Sequence, residues 1–213
     1  MDDGLDDLYS GWYYSQGSKE FNDRVTVHGT VNIILTDSSY VKFEDGICVG
    51  SGNTLNIYGQ DRDDQYLEAI AESWDAAIGS DDEIGSCGDI NIYGGAVKAD
   101  STKSAYGDNA GIGGGNECSG GTVYAEGGDE AAGIGSGYRS NCANITINGG
   151  TIEADGGRDG ACIGSGMSGR CGNILIRNTV TKVCVSDTDQ IGAGDSAYCG
   201  TVTIEPGANV IYD

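Results

Sequence analysis

The sequence is poor in proline, histidine and basic residues. It contains one proline, Pro206, one histidine, His28, and only 11 lysines and arginines against 33 aspartates and glutamates, which gives a formal charge of −22. A chain with this charge repels the phosphates of nucleic acids and the anionic headgroups of lipids. We therefore expect no nucleic-acid partner, and the composition leaves cations and neutral or basic ligands as partner classes.

Long apolar runs are also missing. No stretch approaches the roughly 18 apolar residues that a membrane span needs, so we expect no membrane insertion. The first residues, Met1 to Gly4, lack the basic and apolar regions of a secretory signal. We expect a native signal and the other domains of a larger parent protein to lie outside this chain.

Glycine is abundant, with 38 residues, and it recurs at intervals much longer than the three-residue period of collagen. The recurring phrase is an aliphatic residue followed by glycine and small residues. Its aliphatic residues stand at positions 49, 78, 112, 134, 163 and 191, so the gaps are 29, 34, 22, 29 and 28. A repeat of about 28 residues explains this spacing.

Each period also contains two segments in which apolar and polar residues alternate. The segment Leu55 to Tyr58 is an example of the first kind, and Val97 to Ala99 of the second. Three short strands separated by glycine-rich corners predict an all-β solenoid, a parallel β-helix of about six coils. The general rule for parallel crossovers makes it right-handed. We assign residues 25–213 to this domain and residues 1–24 to an N-terminal cap segment over its open end.

Three phrases carry a family resemblance: Ala132 to Gly137, Cys142 to Gly150 and Thr151 to Gly157. They resemble right-handed β-helix repeats of the pectate-lyase-like superfamily, as found in large surface or secreted proteins of gut Firmicutes. The resemblance implies an extracellular or cell-surface location. Such modules are often described as carbohydrate-binding, so it also implies a polysaccharide or glycan partner. It supplies no catalytic motif to carry over.

Two tyrosines occupy equivalent outward positions on the middle strand of the repeat. Tyr58 and Tyr93 are each preceded by an outward asparagine, Asn56 and Asn91, and Tyr124 points outward from the third strand. Aromatic rings beside amide groups suit sugars, which stack on one face and form hydrogen bonds at their edges. These five residues are the candidate glycan site, although tyrosine is also common in strands for its β-propensity alone.

Acidic residues follow the third strand in successive coils, at Asp100, Glu126 and Asp155. Carboxylates stacked about 4.8 Å apart repel each other unless solvent or a cation intervenes. The pattern predicts a calcium site, since calcium prefers oxygen ligands. The alternative is an acidic edge without a bound ion.

Four cysteines precede the middle strand and are expected to form a column: Cys87, Cys142, Cys171 and Cys199. Buried free thiols that pack as small apolar groups are one interpretation, and disulfides between neighbouring coils are another. A metal site is a third, but the chain has no C-x-x-C pair.

One coil departs from the repeat. Val123 follows Ile112 by 11 positions, whereas Ile152 follows Ile134 by 18. This spacing predicts that the coil lacks its middle strand, and the gap is either a groove or a harmless deletion.

Taken together, these patterns predict a non-catalytic extracellular binding module that recognises a glycan on a lateral sheet face. A structural spacer or stalk domain of a large surface adhesin is one alternative. A polysaccharide lyase or hydrolase is the other, and its best candidate residues are Arg139 and Arg170 with Asp155 or Asp159.

Overall fold

The strands of the chain form three columns of a parallel stack. The computed structural model describes residues 6–60, 64–71, 75–80, 87–103, 109–113, 115–118, 120–186 and 190–213, with only the backbone of 115–118. Every ladder between the described strands is parallel. The described part of the chain is therefore all-β and forms a parallel β-helix. Its right-handedness stays a prediction.

The first column contains two-residue strands, and the middle column contains the alternating segments. Five of the two-residue strands are formed by the predicted aliphatic-glycine phrases. In the earliest one, Ile47 and not the predicted Val49 pairs with Ile78. The first column consists of β5 (Ile47–Cys48), β8 (Ile78–Gly79), β11 (Ile112–Gly113), β14 (Ile134–Gly135), β17 (Ile163–Gly164) and β21 (Ile191–Gly192). The middle column consists of β6 (Thr54–Gly59), β9 (Asp89–Ile92), β12 (Gly115–Cys118), β15 (Ile145–Ile147), β19 (Ile174–Ile176) and β23 (Val202–Ile204). Strand β3 (Val25–Leu35) runs through both columns, and β1 (Asp7–Tyr14) pairs with it.

The third column contains one strand from each turn of the chain, and we call each such turn a rung. Its strands are β2 (Ser18–Phe21), β4 (Tyr40–Phe43), β7 (Tyr66–Ile70), β10 (Ala96–Asp100), β13 (Thr122–Glu126), β16 (Thr151–Asp155), β20 (Lys182–Val185) and β24 (Val210–Tyr212). A short ladder at one corner joins β18 (Arg170–Cys171) to β22 (Tyr198–Cys199). The described strands thus make eight rungs, and the prediction of about six was too low because the first two rungs lack the aliphatic-glycine phrase.

The N-terminal segment continues both sheets. Strand β1 extends the sheet of the first and middle columns, and β2 pairs with β4 in the third column. The described residues of the predicted cap segment therefore form the first rung of the stack. A domain boundary at residue 24 stays a prediction.

The rung that was expected to lack its middle strand has one. Strand β12 pairs with β9 on one side and with β15 on the other. A single position separates β11 from β12, whereas nine residues separate β14 from β15. The prediction was wrong because the deletion removed the corner between the two strands and left the strand itself in place.

The core lies inside the rungs and consists of stacked aliphatic side chains. Ile112, Ile134 and Ile163 pair in register along the first column and are buried. Burying each such side chain stabilises the fold by roughly 2 kcal/mol. Because the side chains of a strand alternate between its two faces, this packing directs the intervening polar residues to solvent.

Candidate functional site

The aromatic row runs along the outer face of the middle column. Tyr58 lies on β6, and Tyr93 directly follows β9, where its backbone N–H donates to the carbonyl of Ile57 at 2.8 Å. The two tyrosine rings stack with centroids 4.8 Å apart and planes 12° apart. Trp12 of β1 lies over the other side of Tyr58, with ring centroids 5.4 Å apart. The aromatic row therefore contains Trp12, Tyr58 and Tyr93, in that order along the stack.

This stacking determines which parts of the aromatic rings are accessible to a sugar. Tyr58 has an aromatic neighbour on both sides, so its ring faces are covered and its edge is presented. Trp12, which is 65% exposed, offers the largest open aromatic surface of the row, and Tyr14 beside it is 58% exposed. The expectation of two flat tyrosine faces is corrected, because adjacent rungs bring their rings into mutual contact.

Trp12 and Tyr14 were not identified as site residues from the sequence, because they fall in the segment assigned to the cap. A signal was present. Trp12 and Tyr14 alternate with Gly11 and Tyr13, just as Asn56 and Tyr58 alternate with Leu55 and Ile57. Alternation of this kind places both aromatic residues on the outer face.

The asparagines of the predicted site form a ladder instead of open hydrogen-bonding edges. Nδ2 of Asn91 donates to Oδ1 of Asn56 at 2.8 Å, and Nδ2 of Asn56 donates to Oδ1 of Asn32 at 2.8 Å. Nδ2 of Asn32 in turn donates to the carbonyl of Gly11 at 3.2 Å. Asn56 is buried. The ladder therefore stabilises the sheet beneath the aromatic row.

Tyr124 lies apart from the other predicted glycan residues. It belongs to β13 in the third column, where it pairs in register with Lys98 and Glu153. Its ring is 40% exposed among these charged neighbours. The five predicted residues thus form one group of four on the middle column and one separate tyrosine on another sheet.

The acidic column has the predicted register. Asp100, Glu126 and Asp155 are direct neighbours in the ladders of β10, β13 and β16. Oδ1 of Asp100 accepts hydrogen bonds from the backbone N–H and the hydroxyl of Thr102, at 3.0 and 2.6 Å, and its Oδ2 lies 3.6 Å from Nζ of Lys98. Both oxygens of Asp100 are therefore engaged within the protein.

The first two carboxylates of this column have opposite pKa shifts. Burial acts to raise the pKa of Asp100, but the hydrogen bonds from Thr102 and the charge of Lys98 outweigh it, so the pKa is lowered. Burial and the negative charge of Asp100 raise the pKa of Glu126. Within the described residues, no group of three or more histidine, cysteine or acidic side chains is arranged to hold a metal ion. Calcium binding at this edge stays a prediction.

Three members of the predicted cysteine column lie together, and the fourth has a different partner. Cys171 and Cys199 pair in register between β18 and β22, and Sγ of Cys142 donates to Sγ of Cys171 at 3.3 Å. Sγ of Cys87 donates to the carbonyl of Gly113 at 2.6 Å. Burial raises the pKa of Cys87 to about 12, which keeps this thiol protonated.

Two of the four residues considered for an enzyme, Arg139 and Asp159, have side-chain partners nearby. The guanidinium of Arg139 lies 4.8 Å from the ring centroid of Tyr138. Oδ2 of Asp159 accepts from Nε of Arg158 at 3.3 Å, and Arg158 also reaches Asp129 at 3.1 Å. The lyase or hydrolase alternative stays a prediction.

Comparison with known families identifies the repeat. A family model described as Beta helix repeat matches residues 90–116, 119–138 and 145–167. The chain contains beta helix repeats. The matched segments cover strands of rungs four to seven in all three columns. No curated protein and no solved structure matches the chain. None of the residues that the structure describes forms a helix with the length and apolarity of a membrane span.

Proposed function

We propose that this β-helix is a non-catalytic binding module of an extracellular or cell-surface protein, and that its aromatic row binds a glycan. The observation that carries the proposal is the exposed aromatic surface of Trp12 beside the stacked rings of Tyr58 and Tyr93. Large aromatic side chains are normally withdrawn from water, and their apolar faces suit the C–H faces of sugar rings. The resemblance to modules of surface proteins supports the location.

The charge of the chain limits the class of glycan that we expect it to bind. A formal charge of −22 repels polymers that carry carboxylates or sulfates. The outward residue Asp89 begins the strand that precedes Tyr93 and is exposed, so the same repulsion acts next to the aromatic row. We therefore propose a neutral or basic glycan as the ligand.

The test is a titration of the intact chain with soluble neutral polysaccharides of different linkage and, in parallel, with uronic-acid polymers. We expect saturable binding of a neutral glycan, and a loss of at least about tenfold in affinity in Trp12→Ala, because an aromatic anchor residue often contributes about 1.4 kcal/mol or more. Tyr198→Ala is the matched control, since Tyr198 is 62% exposed but lies on rung eight. Unchanged binding in Trp12→Ala, or no binding of any polymer, would overturn the proposal.

A structural spacer in a large surface adhesin is the second candidate. The eight in-register rungs favour it, because seven steps of about 4.8 Å give a stack roughly 34 Å long. Its lateral faces require no ligand in that role. A failure of every glycan to bind, together with an intact fold by circular dichroism, would favour the spacer.

A further inference from the structure

Three cysteines of the last three rungs form a thiol row at one corner of the stack. The thiol row consists of Cys142, Cys171 and Cys199. Cys171 and Cys199 are register partners, and the bridge between Asn141 and Arg170 places Cys142 next to Cys171 on the other side. All three are free thiols. In-register parallel neighbours lie about 4.8 Å apart, which is within the Cα separation of disulfides.

The sulfur atoms of the first two thiols are already in contact. Sγ of Cys142 lies 3.3 Å from Sγ of Cys171. A disulfide bond needs a separation of about 2.05 Å, so the two atoms have to approach by roughly 1.3 Å. The Cα separation of register partners is compatible with a bond of this length, so the approach is expected mainly from the side chains.

The members of the thiol row differ in access. Cys171 is buried, whereas Cys142 and Cys199 are half-buried. The hydrogen bond from Cys142 and burial raise the pKa of Cys171, and burial raises the pKa of Cys199 to about 12. Because Cys142 is more exposed than Cys171, an external reagent should reach Cys142 first.

We propose that Cys142 and Cys171 are a redox pair that a small-molecule disulfide oxidises to a disulfide bond between rungs six and seven. Cys199 is the competing partner of Cys171 on the other side. Because Cys171 has one sulfur and two neighbours, one oxidised molecule contains either the first bond or the second. The thiol row therefore gives up two electrons and keeps one free thiol.

The reaction is a pair of thiol–disulfide exchanges. The thiolate of Cys142 attacks one sulfur of the small disulfide, whose S–S bond breaks, and the first small thiolate leaves and takes up the proton that Cys142 lost. The thiolate of Cys171 then attacks Sγ of Cys142 in this mixed disulfide, and the second small thiol is released with the proton of Cys171. In total, two protein thiols and one small disulfide become one protein disulfide and two small thiols.

Another buried cysteine provides an internal control. Sγ of Cys162 lies 3.1 Å from Oγ of Ser186 and 3.7 Å from Oε1 of Gln190. It is as buried as Cys171, but its neighbours in these contacts are oxygen atoms. Contact between two sulfur atoms, and not burial alone, should therefore decide which thiols pair.

The experiment equilibrates the reduced full chain with oxidised glutathione and stops the exchange with acid. The remaining thiols are then alkylated in denaturant at neutral pH, and a tryptic digest is analysed. Cleavage at the arginines places Cys142 on peptide 140–158, Cys162 on peptide 159–170 and Cys171 on peptide 171–177. We expect peptides 140–158 and 171–177 to be joined, with two hydrogens fewer than their sum. We also expect the melting temperature to rise on the order of 5–10 °C on oxidation.

Three variants distinguish a specific disulfide between Cys142 and Cys171 from unspecific oxidation. Cys171→Ala should lose the cross-link and the rise in melting temperature, Cys199→Ala should keep both, and Cys162→Ala should behave like the unchanged protein. Full alkylation of Cys171 after oxidation of the folded chain would overturn the proposal. Glutathione adducts without a protein disulfide, or cross-links that involve Cys162, would also overturn it.

Discussion

Rungs one to three and rungs six to eight form the same stack by different means. In the N-terminal rungs, large side chains stack between neighbouring turns. The rings of Phe21 and Phe43 lie 4.9 Å apart with planes 9° apart inside the stack, and those of Tyr40 and Tyr66 lie 5.8 Å apart. Side-chain packing of this kind tolerates many apolar residues, provided that they fill the space.

In the C-terminal rungs, backbone approaches backbone at the corners. Gly135 has a φ of 144°, and a Cβ atom added to it would lie 1.7 Å from the carbonyl oxygen of Gly164. Gly164 has the same relation to Gly192, at 1.8 Å. No other residue fits such a position without a shift of the neighbouring rung. The contrast shows that a rung held by close backbone contacts dictates its sequence, whereas a rung held by side-chain stacks does not.

Disrupting a close backbone contact between two glycine corners should have the largest effect on stability. We expect Gly135→Ala to lower the free energy of unfolding by about 4 kcal/mol, because both the positive φ and the contact with Gly164 oppose a side chain. Urea denaturation measures this loss. Gly17→Ala is the control on rung one: Gly17 has a φ of 66°, but nothing lies within 4 Å of its added Cβ. We expect it to cost about 1 kcal/mol, and equal losses in both variants would contradict the comparison.

Breaking the asparagine ladder should have an intermediate effect. Asn56→Ala removes two side-chain hydrogen bonds and leaves Oδ1 of Asn32 and Nδ2 of Asn91 without this partner. We expect a loss of about 2 kcal/mol in the free energy of unfolding, as for other buried polar groups left unsatisfied. Thr146 occupies the same outward position two rungs beyond Asn91, so Thr146→Ala is the matched control in the C-terminal half. Its expected loss is below about 0.5 kcal/mol, and a loss as large as that of Asn56→Ala would argue against the ladder.

The smallest expected effect on stability concerns the acidic column, which lies on rungs four to six and reaches the second of the two regions compared above. Because the pKa of Glu126 is raised in the folded chain above its ordinary value of 4.5, its ionised form opposes folding at neutral pH. Glu126→Gln should therefore stabilise the chain at pH 7, by about 0.5 kcal/mol or less, since solvent screens this half-buried group. Urea midpoints at pH 7 and pH 3 measure the difference, which should vanish at pH 3, where the carboxyl is protonated in both states. A stabilisation that is the same at both pH values would exclude this electrostatic cause.

The same contrast explains how much of the fold could be predicted. The aliphatic-glycine phrases around Ile134 and Ile163 predicted the parallel stack, because the close corners leave no choice of residue there. The first two rungs were not counted, since Phe21 and Phe43 fill the space with large rings and carry no such phrase. The family model also matches only within residues 90–167, which contain the close corners of Gly135 and Gly164.

The candidate site was predictable in its register but not in its side-chain conformations. Alternation along the strands correctly placed Asn56 and Tyr58 in register with Asn91 and Tyr93. The sequence pattern does not contain ring orientation, so it could not show that the two tyrosines cover each other's faces. It also could not show that the side-chain amide of Asn56 forms hydrogen bonds to the neighbouring rungs, because such bonds depend on side-chain torsions.

The isoleucines of the first column have a consequence for the way this chain can vary in length. Ile134 and Ile163 occupy equivalent places 29 positions apart, and each is preceded and followed by the same kind of neighbour. Loss of residues 134–162 would join Gly133 to Ile163 and leave an unchanged aliphatic-glycine corner. Gene duplication or deletion of one such unit would thus lengthen or shorten the stack by about 4.8 Å, with the parallel register of the remaining rungs kept. The length of the stack can therefore change during evolution by whole rungs, while the pattern of inward aliphatic residues stays the same.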